Sequence, residues 1–211
     1  MMKEKNQEFT DLLARAAEFH GHLCAGQIIG VRMAMLGLRE LGITDPLGKD
    51  RKKLMVYVEV SRCAADAIMT VTGCRAGKRS FKIMDTGKVA ATFINLESFS
   101  GVRVIAVNDI QEKIAARYPG VEEKTAQKSA YREMPDRELF TVQAVSVALR
   151  PEDTPGTPAH NVSCALCGET ILDRRNIEQN GATLCRPCAT GVTYYTAQSP
   201  KREPVEEGLF R

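Results

Sequence analysis

"CAADAIMTVTGCRAGKRSFKIMDTGKVAATF", Cys63 to Phe93, decides the fold class, because its pattern changes character twice. Ala64 to Gly73 carries small and apolar residues at helical spacing and stops at a glycine, which predicts a short helix. After a basic stretch come two β-rich runs, "FKIM" and "VAATFIN", on either side of Asp85-Thr86-Gly87-Lys88, and this predicts a hairpin. Working outward, Lys53–Val60 alternates and reads as a strand, as do Gly101–Val107 and Leu139–Leu149. Helices are predicted over Glu4–Phe19, with Phe9, Leu12, Leu13 and Ala16 on one face, and over Gln27–Leu41, with Ile28, Val31, Met35 and Leu38 inward and Gly42 as the stop. Asp109–Ala116 and Glu122–Met134 complete the set. Helices and strands alternate irregularly around a hairpin, which favours α+β over a doubly wound parallel sheet.

The chain divides by composition. Residues 1–150 form a mixed helix/sheet core domain. Residues 151–161, within the proline-rich "RPEDTPGTPAHN", read as a linker. Residues 162–196 form a small cysteine-bearing module, and 197–211 a charged, proline-containing tail. A net charge of +3 with interleaved signs gives no phosphate-tracking stripe, so a nucleic-acid partner is not expected. No long apolar run marks a membrane span, and the start lacks the apolar centre of a signal peptide. A cytoplasmic protein is the expectation, and its seven cysteines are then not a disulfide framework.

Four of those cysteines explain themselves. Cys164-x2-Cys167 and Cys185-x2-Cys188 are two knuckles with seventeen residues between them. Each turns two thiolates toward one point, and together they make the closed tetrahedral S4 site of a structural zinc. A module this short cannot fold on a hydrophobic core alone, so the metal supplies much of its stability. A ribbon or treble-clef-like finger is expected. Its arginines and acids balance, which points to a structural or protein-contact role rather than DNA reading.

The other three cysteines lie with most of the histidine. "FHGHLCAG", Phe19–Gly26, holds two of the three histidines of the chain, plus Cys24. As a helical turn it puts His20 and Cys24 on one face. As an extended segment it puts His20, His22 and Cys24 on one side. Gly21 and Gly26 permit a sharp path and close approach. Cys63 and Cys74 sit near element ends and can meet them from the other side, with Asp66 one helical turn after Cys63. Arg75, Lys78, Arg79, Lys82 and Lys88 surround Cys74, which favours thiolate or holds an anionic substrate. Set against a site, the same residues also read as small buried thiols, a capping histidine and a solvated hairpin face.

"FHGHLCAGQIIGVRMA", "CAADAIMTVTGCRAGKRSFKIMDTGKVAATF" and "MPDRELF" together resemble the FmdE family, named after a component of formylmethanofuran dehydrogenase, over roughly residues 8 to 150. The resemblance implies an α+β core, usually dimeric, with a Cys/His pocket able to hold a metal. Carried over position by position, that pocket involves His20, His22, Cys24, Cys63 and Cys74 as metal ligands. Cys63, Asp66, Cys74, Lys78 and Lys88 are its candidate catalytic groups. This chain has Ala25 where proline is usual, Ala65 for valine, Met69 for glutamine and Arg75 for threonine, the last two on the rim of the pocket.

Two functions follow from different classes. One is an oxidoreductase-associated component or accessory protein of a molybdenum or tungsten formylmethanofuran dehydrogenase-type system. It would use a second metal in the core on a small-molecule substrate, alongside the other components of the dehydrogenase complex. The other is a non-catalytic zinc-binding module for protein–protein contact, its core a homodimer.

Overall fold

The computed structural model describes residues 2–157 and 160–197, so nearly all of the expected tail lies outside the described residues. The elements run α1 (Met2–His20), α2 (Ala25–Glu40), β1 (Leu54–Val58), α3 (Cys63–Thr72), β2 (Phe81–Ile83), β3 (Ala90–Asn95), β4 (Gly101–Ala106), α4 (Ile110–Arg117), α5 (Glu123–Glu133), α6 (Asp136–Leu139) and β5 (Phe140–Val145). A second compact unit begins at Thr157 and carries β6 (Val162–Ser163), β7 (Thr170–Ile171), β8 (Ile177–Gln179), β9 (Ala182–Leu184) and α7 (Arg186–Thr190). The class is α+β, as expected. Among the described residues no helix is long and apolar enough to cross a membrane.

The core sheet has the order β2-β1-β3-β4-β5. β3, β4 and β5 follow one another antiparallel, and β1 is antiparallel to β3. The expected hairpin around Asp85–Lys88 does not form. β2 pairs parallel to β1, and β3 takes the other side of β1. The reason lies in the turn's own donors. Thr86 and Lys88 N–H both go to the Glu59 carbonyl, at 2.9 and 3.1 Å, and Met84 N–H to Val58 O at 2.8 Å. The segment therefore wraps the end of β1 and delivers its two runs to opposite edges of that strand.

Leu54, Val56, Val58, Ala91, Phe93 and Val104 turn toward the helices and share one apolar cluster with Ile28, Val31 and Ile68. The tightest contact in that cluster is between α2 and α3. A Cβ placed on Gly30 would lie 2.7 Å from Ala64 O and 2.8 Å from both Ala64 Cα and Ala67 Cβ. On the sheet side, a Cβ on Gly37 would enter the Phe93 ring. α2 is thus seated by glycines against a helix and an aromatic ring at once. α3 stops at Gly73, whose φ of 68° is the left-handed conformation that ends helices. "MPDRELF" has a packing role here. Arg32 of α2 donates to Tyr131 O and Met134 O at the end of α5, and pairs with Asp136 at 2.5 Å.

Gly30→Ala tests this crossing because two effects oppose. Helix propensity alone favours alanine by about 1 kcal/mol. Overpacking against a backbone carbonyl costs about 1–3 kcal/mol. We expect a lower urea midpoint than the parent, with an unchanged slope; a raised midpoint would mean that the helices do not touch here.

Candidate metal centres

α1 ends at His20, Gly21 turns the chain with φ of 90°, and Cys24 is the N-cap of α2. The histidine and cysteine are therefore joined neither by one helical turn nor by an extended run, but by a bend between two helices. Cys63 is the first residue of α3. One nitrogen of His20 and the sulfurs of Cys24 and Cys63 all lie within 4.8 Å of one another. Gly26 makes the approach possible: a Cβ there would sit 2.8 Å from Cys63 Cβ and 3.6 Å from the sulfurs of both Cys24 and Cys63.

His20 Nδ1 lies 2.7 Å from Asp66 Oδ2. A carboxylate only accepts, so the proton of this contact sits on Nδ1 and Nε2 keeps its lone pair. That is the arrangement in which a carboxylate fixes the tautomer of a metal-ligating imidazole. Both cysteines open helices, where the N-terminal dipole favours a thiolate. Burial nevertheless raises the Cys63 thiol above its ordinary range, helped by the Cys24 thiol beside it and by Asp66. Two thiolates crowded together resist ionising, and a bound cation removes that resistance. The donor set, one imidazole nitrogen and two sulfurs on half-buried residues, fits a borderline-soft metal with one coordination position left open.

Other expected members fall elsewhere. Cys74 does not join this cluster. It is 2% exposed in the apolar core, its thiol faces Leu54 O at 3.6 Å, and burial raises its pKa. Ten residues of α3 and the turn at Gly73 carry it away from Cys63. His22 is exposed and lies outside the donor set, its ring 4.8 Å from that of His20. Lys78, in a short 3-10 turn after Gly73, is exposed, and Lys88 is exposed beside Glu59 at the end of β1. Arg75 places its guanidinium 5.5 Å from the centre of the Phe19 ring and donates to the carbonyls of Met69 and Cys74.

Sequence reasoning missed Gln27. Its side chain is fully buried, its Nε2 donates to Cys63 O at 2.6 Å, and its Oε1 has no hydrogen-bond partner. The available signal was a polar residue on the inward face of an otherwise apolar helix, three residues after Cys24.

In the second unit, Cys164, Cys167, Cys185 and Cys188 also bring their sulfurs within 4.8 Å of one another. The first knuckle is closed by Gly168 N–H to Cys164 O at 2.9 Å. Cys167 and Cys185 sulfurs stand 3.8 Å apart. Tetrahedral zinc with Zn–S bonds of about 2.3 Å requires roughly that separation. Backbone N–H groups of Cys167 and Cys185 bring the Cys164 thiol down to about 6, while the neighbouring sulfur of Cys185 drives Cys188 up to about 12. Four such thiols ionise together only around a cation.

The molecule is thus a metal-binding protein with a Cys/His cluster in an α+β core and a four-cysteine finger behind it. The chain belongs to the FmdE family: residues 19–146 match the family described as "FmdE, Molybdenum formylmethanofuran dehydrogenase operon". Residues 159–194 match the "Prokaryotic dksA/traR C4-type zinc finger". A "Probable S-adenosyl-L-methionine-binding protein" of Archaeoglobus fulgidus is 31% identical over 204 residues, covering 86% of this chain and 53% of that protein. The chain therefore spans about half the length of that curated relative. A crystal structure of an FmdE-like protein of the tungsten formylmethanofuran dehydrogenase type, from Syntrophus aciditrophicus, shares the fold, with a TM-score of 0.58 at 19% identity, covering 89% of this chain and 95% of that one.

The separation of Cys74 from Cys24 and Cys63 predicts their reactivity. In chelator-treated native protein, a brief iodoacetamide pulse read by peptide mass spectrometry should label Cys24 and Cys63 more than about tenfold faster than Cys74. Cys74 should catch up only in denaturant. Equal rates in the native state would place all three thiols at one accessible site.

Proposed function

We propose that the core of this protein binds one zinc-like ion through His20 Nε2, Cys24 Sγ and Cys63 Sγ, and that its fourth position receives a small-molecule ligand. The observation that carries this reading is the convergence of these three donors with the His20–Asp66 contact behind them. Such an ion polarises an oxygen, binds a thiol, or lowers the pKa of a water. The chain's own residues hold the geometry. Asp66 orients the imidazole, Gly26 admits the second sulfur, and Gln27 ties the first turn of α3 to α2. Lys88 and the Arg75–Phe19 pair stand as charged or aromatic groups for an approaching anion.

In this reading the protein serves as a component or accessory of a molybdenum or tungsten formylmethanofuran dehydrogenase-type system, handling a metal or sulfur-bearing ligand for it. The family to which the chain belongs supports that context. S-adenosyl-L-methionine, named for a relative about twice as long, is a reasonable probe of the open position. A purely structural zinc module for protein contact draws support from one feature: Leu166, Val192 and Tyr194 are largely exposed on the finger unit.

Metal counting separates the readings. The two donor clusters predict two zinc ions per chain by mass spectrometry. Cys185→Ser should lose one, and Cys63→Ser or His20→Ala the other. Asp66→Asn should weaken core binding about 10–100-fold and leave the finger loaded. Core metal should also leave as pH falls, because the imidazole and both thiols must be deprotonated to ligate. One zinc per chain, unaffected by His20 or Cys63, would leave the structural reading standing instead.

A further inference from the structure

The core holds a second concave feature at the far end of α3. Cys63 opens that helix and Gly73 closes it, so the two ends lie about 15 Å apart. A cleft of about 640 Å³ opens beside Gly73. Arg51 and Lys52 line it from the segment before β1, and Lys78 from the 3-10 turn after α3, while Leu47, Leu96 and Pro155 supply apolar wall. Arg79 Nη2 donates to Gly156 O at 2.7 Å, pinning the chain that forms one rim.

The charge here is not neutralised locally. No carboxylate lines the cleft among the described residues. The acids of the adjoining loop are already spent. Asp45 accepts from Gly48 N–H and Lys49 N–H at 3.0 and 2.9 Å. Asp50 accepts from Thr44 and Asp45 N–H and pairs with Lys53 at 3.3 Å, and Lys53 also takes Glu97 at 3.0 Å. Arg51, Lys52 and Lys78 make no side-chain hydrogen bond or ion pair with described residues. Three cations from two chain segments thus share one concave, partly apolar space with no internal counter-charge.

We propose that this cleft binds a phosphorylated small organic molecule. A phosphate group answers the three cations, since a single carboxylate would leave most of that charge uncompensated, and arginine offers it a bidentate donor pair. The organic part lies on Leu47, Leu96 and Pro155. The cleft is within the usual size of small-ligand sites. A nucleic-acid strand fits less well, because the chain's net charge is only +3 and its basic residues are interleaved with acidic ones. This site lies away from His20, Cys24 and Cys63 and does not depend on the metal there.

Calorimetric titration of the zinc-loaded full chain with ADP tests it, with inorganic pyrophosphate, adenosine and a single-stranded DNA oligonucleotide as comparisons. ADP and pyrophosphate should bind saturably and adenosine should not. Lys78→Ala and Arg51→Ala, both at exposed side chains, should each weaken ADP about tenfold, with zinc content and thermal unfolding unchanged. Absence of saturable ADP binding overturns the proposal. So do adenosine binding as tightly as ADP, an affinity indifferent to both substitutions, and an oligonucleotide that binds more tightly than ADP through the same residues.

Discussion

Everything in the core depends on how closely α2 and α3 approach. Gly26 and Gly30 lie four residues apart on one face of α2, and at each the space of a side chain is already occupied by α3. At Gly30 the occupants are Ala64 and Ala67, so two small-residue surfaces meet almost backbone to backbone. At Gly26 the occupant is Cys63. The same crossing that packs the helices therefore sets how near Cys63 stands to Cys24, one turn earlier along the α2 face. Any substitution that pushes the helices apart opens the donor set as well as the core.

The sheet fixes the other end of this arrangement. Gly37 seats α2 on Phe93 of β3, and the short link from β1 into α3 places Cys63 just beyond the end of β1. Glu59, in that link, receives the turn that follows β2 and also pairs with Arg103 of β4 at 2.6 Å. The half-buried pair holds the Glu59 carboxyl below its ordinary range, chiefly through the Arg103 hydrogen bond. Because that pKa is depressed on folding, the stabilisation is present above the unfolded value and fades as pH falls through the folded one. The finger works by another principle: its strands are two or three residues long, and four converging sulfurs do what a core would do elsewhere.

Much of this was legible in the sequence because periodicity and punctuation agree. Helix ends at Gly42 and Gly73 and the strands on either side of α3 fall where their patterns put them. The finger's spacing states its geometry outright. The hairpin was illegible for a definite reason: two β-rich runs flanking a turn look alike whether they pair with each other or with a third strand between them, and only the donors of Thr86 and Lys88 decide. Cys74 misled through proximity in sequence to cationic residues, whereas its thiol points into the core and its neighbours point out. Convergence of His20 with Cys63 depends on contacts more than forty residues apart in the chain, such as His20 to Asp66. No local pattern encodes them, and the family motifs supply what spacing alone leaves open.

The central claim is that the α2–α3 crossing builds a metal centre from His20, Cys24 and Cys63. Anomalous diffraction at the zinc edge from crystals of the full chain tests it most directly. The account predicts two peaks per chain, one among the four finger sulfurs and one about 2.0–2.3 Å from His20 Nε2 and from the sulfurs of Cys24 and Cys63. A single peak at the finger, or a core peak bonded to Cys74, would contradict it.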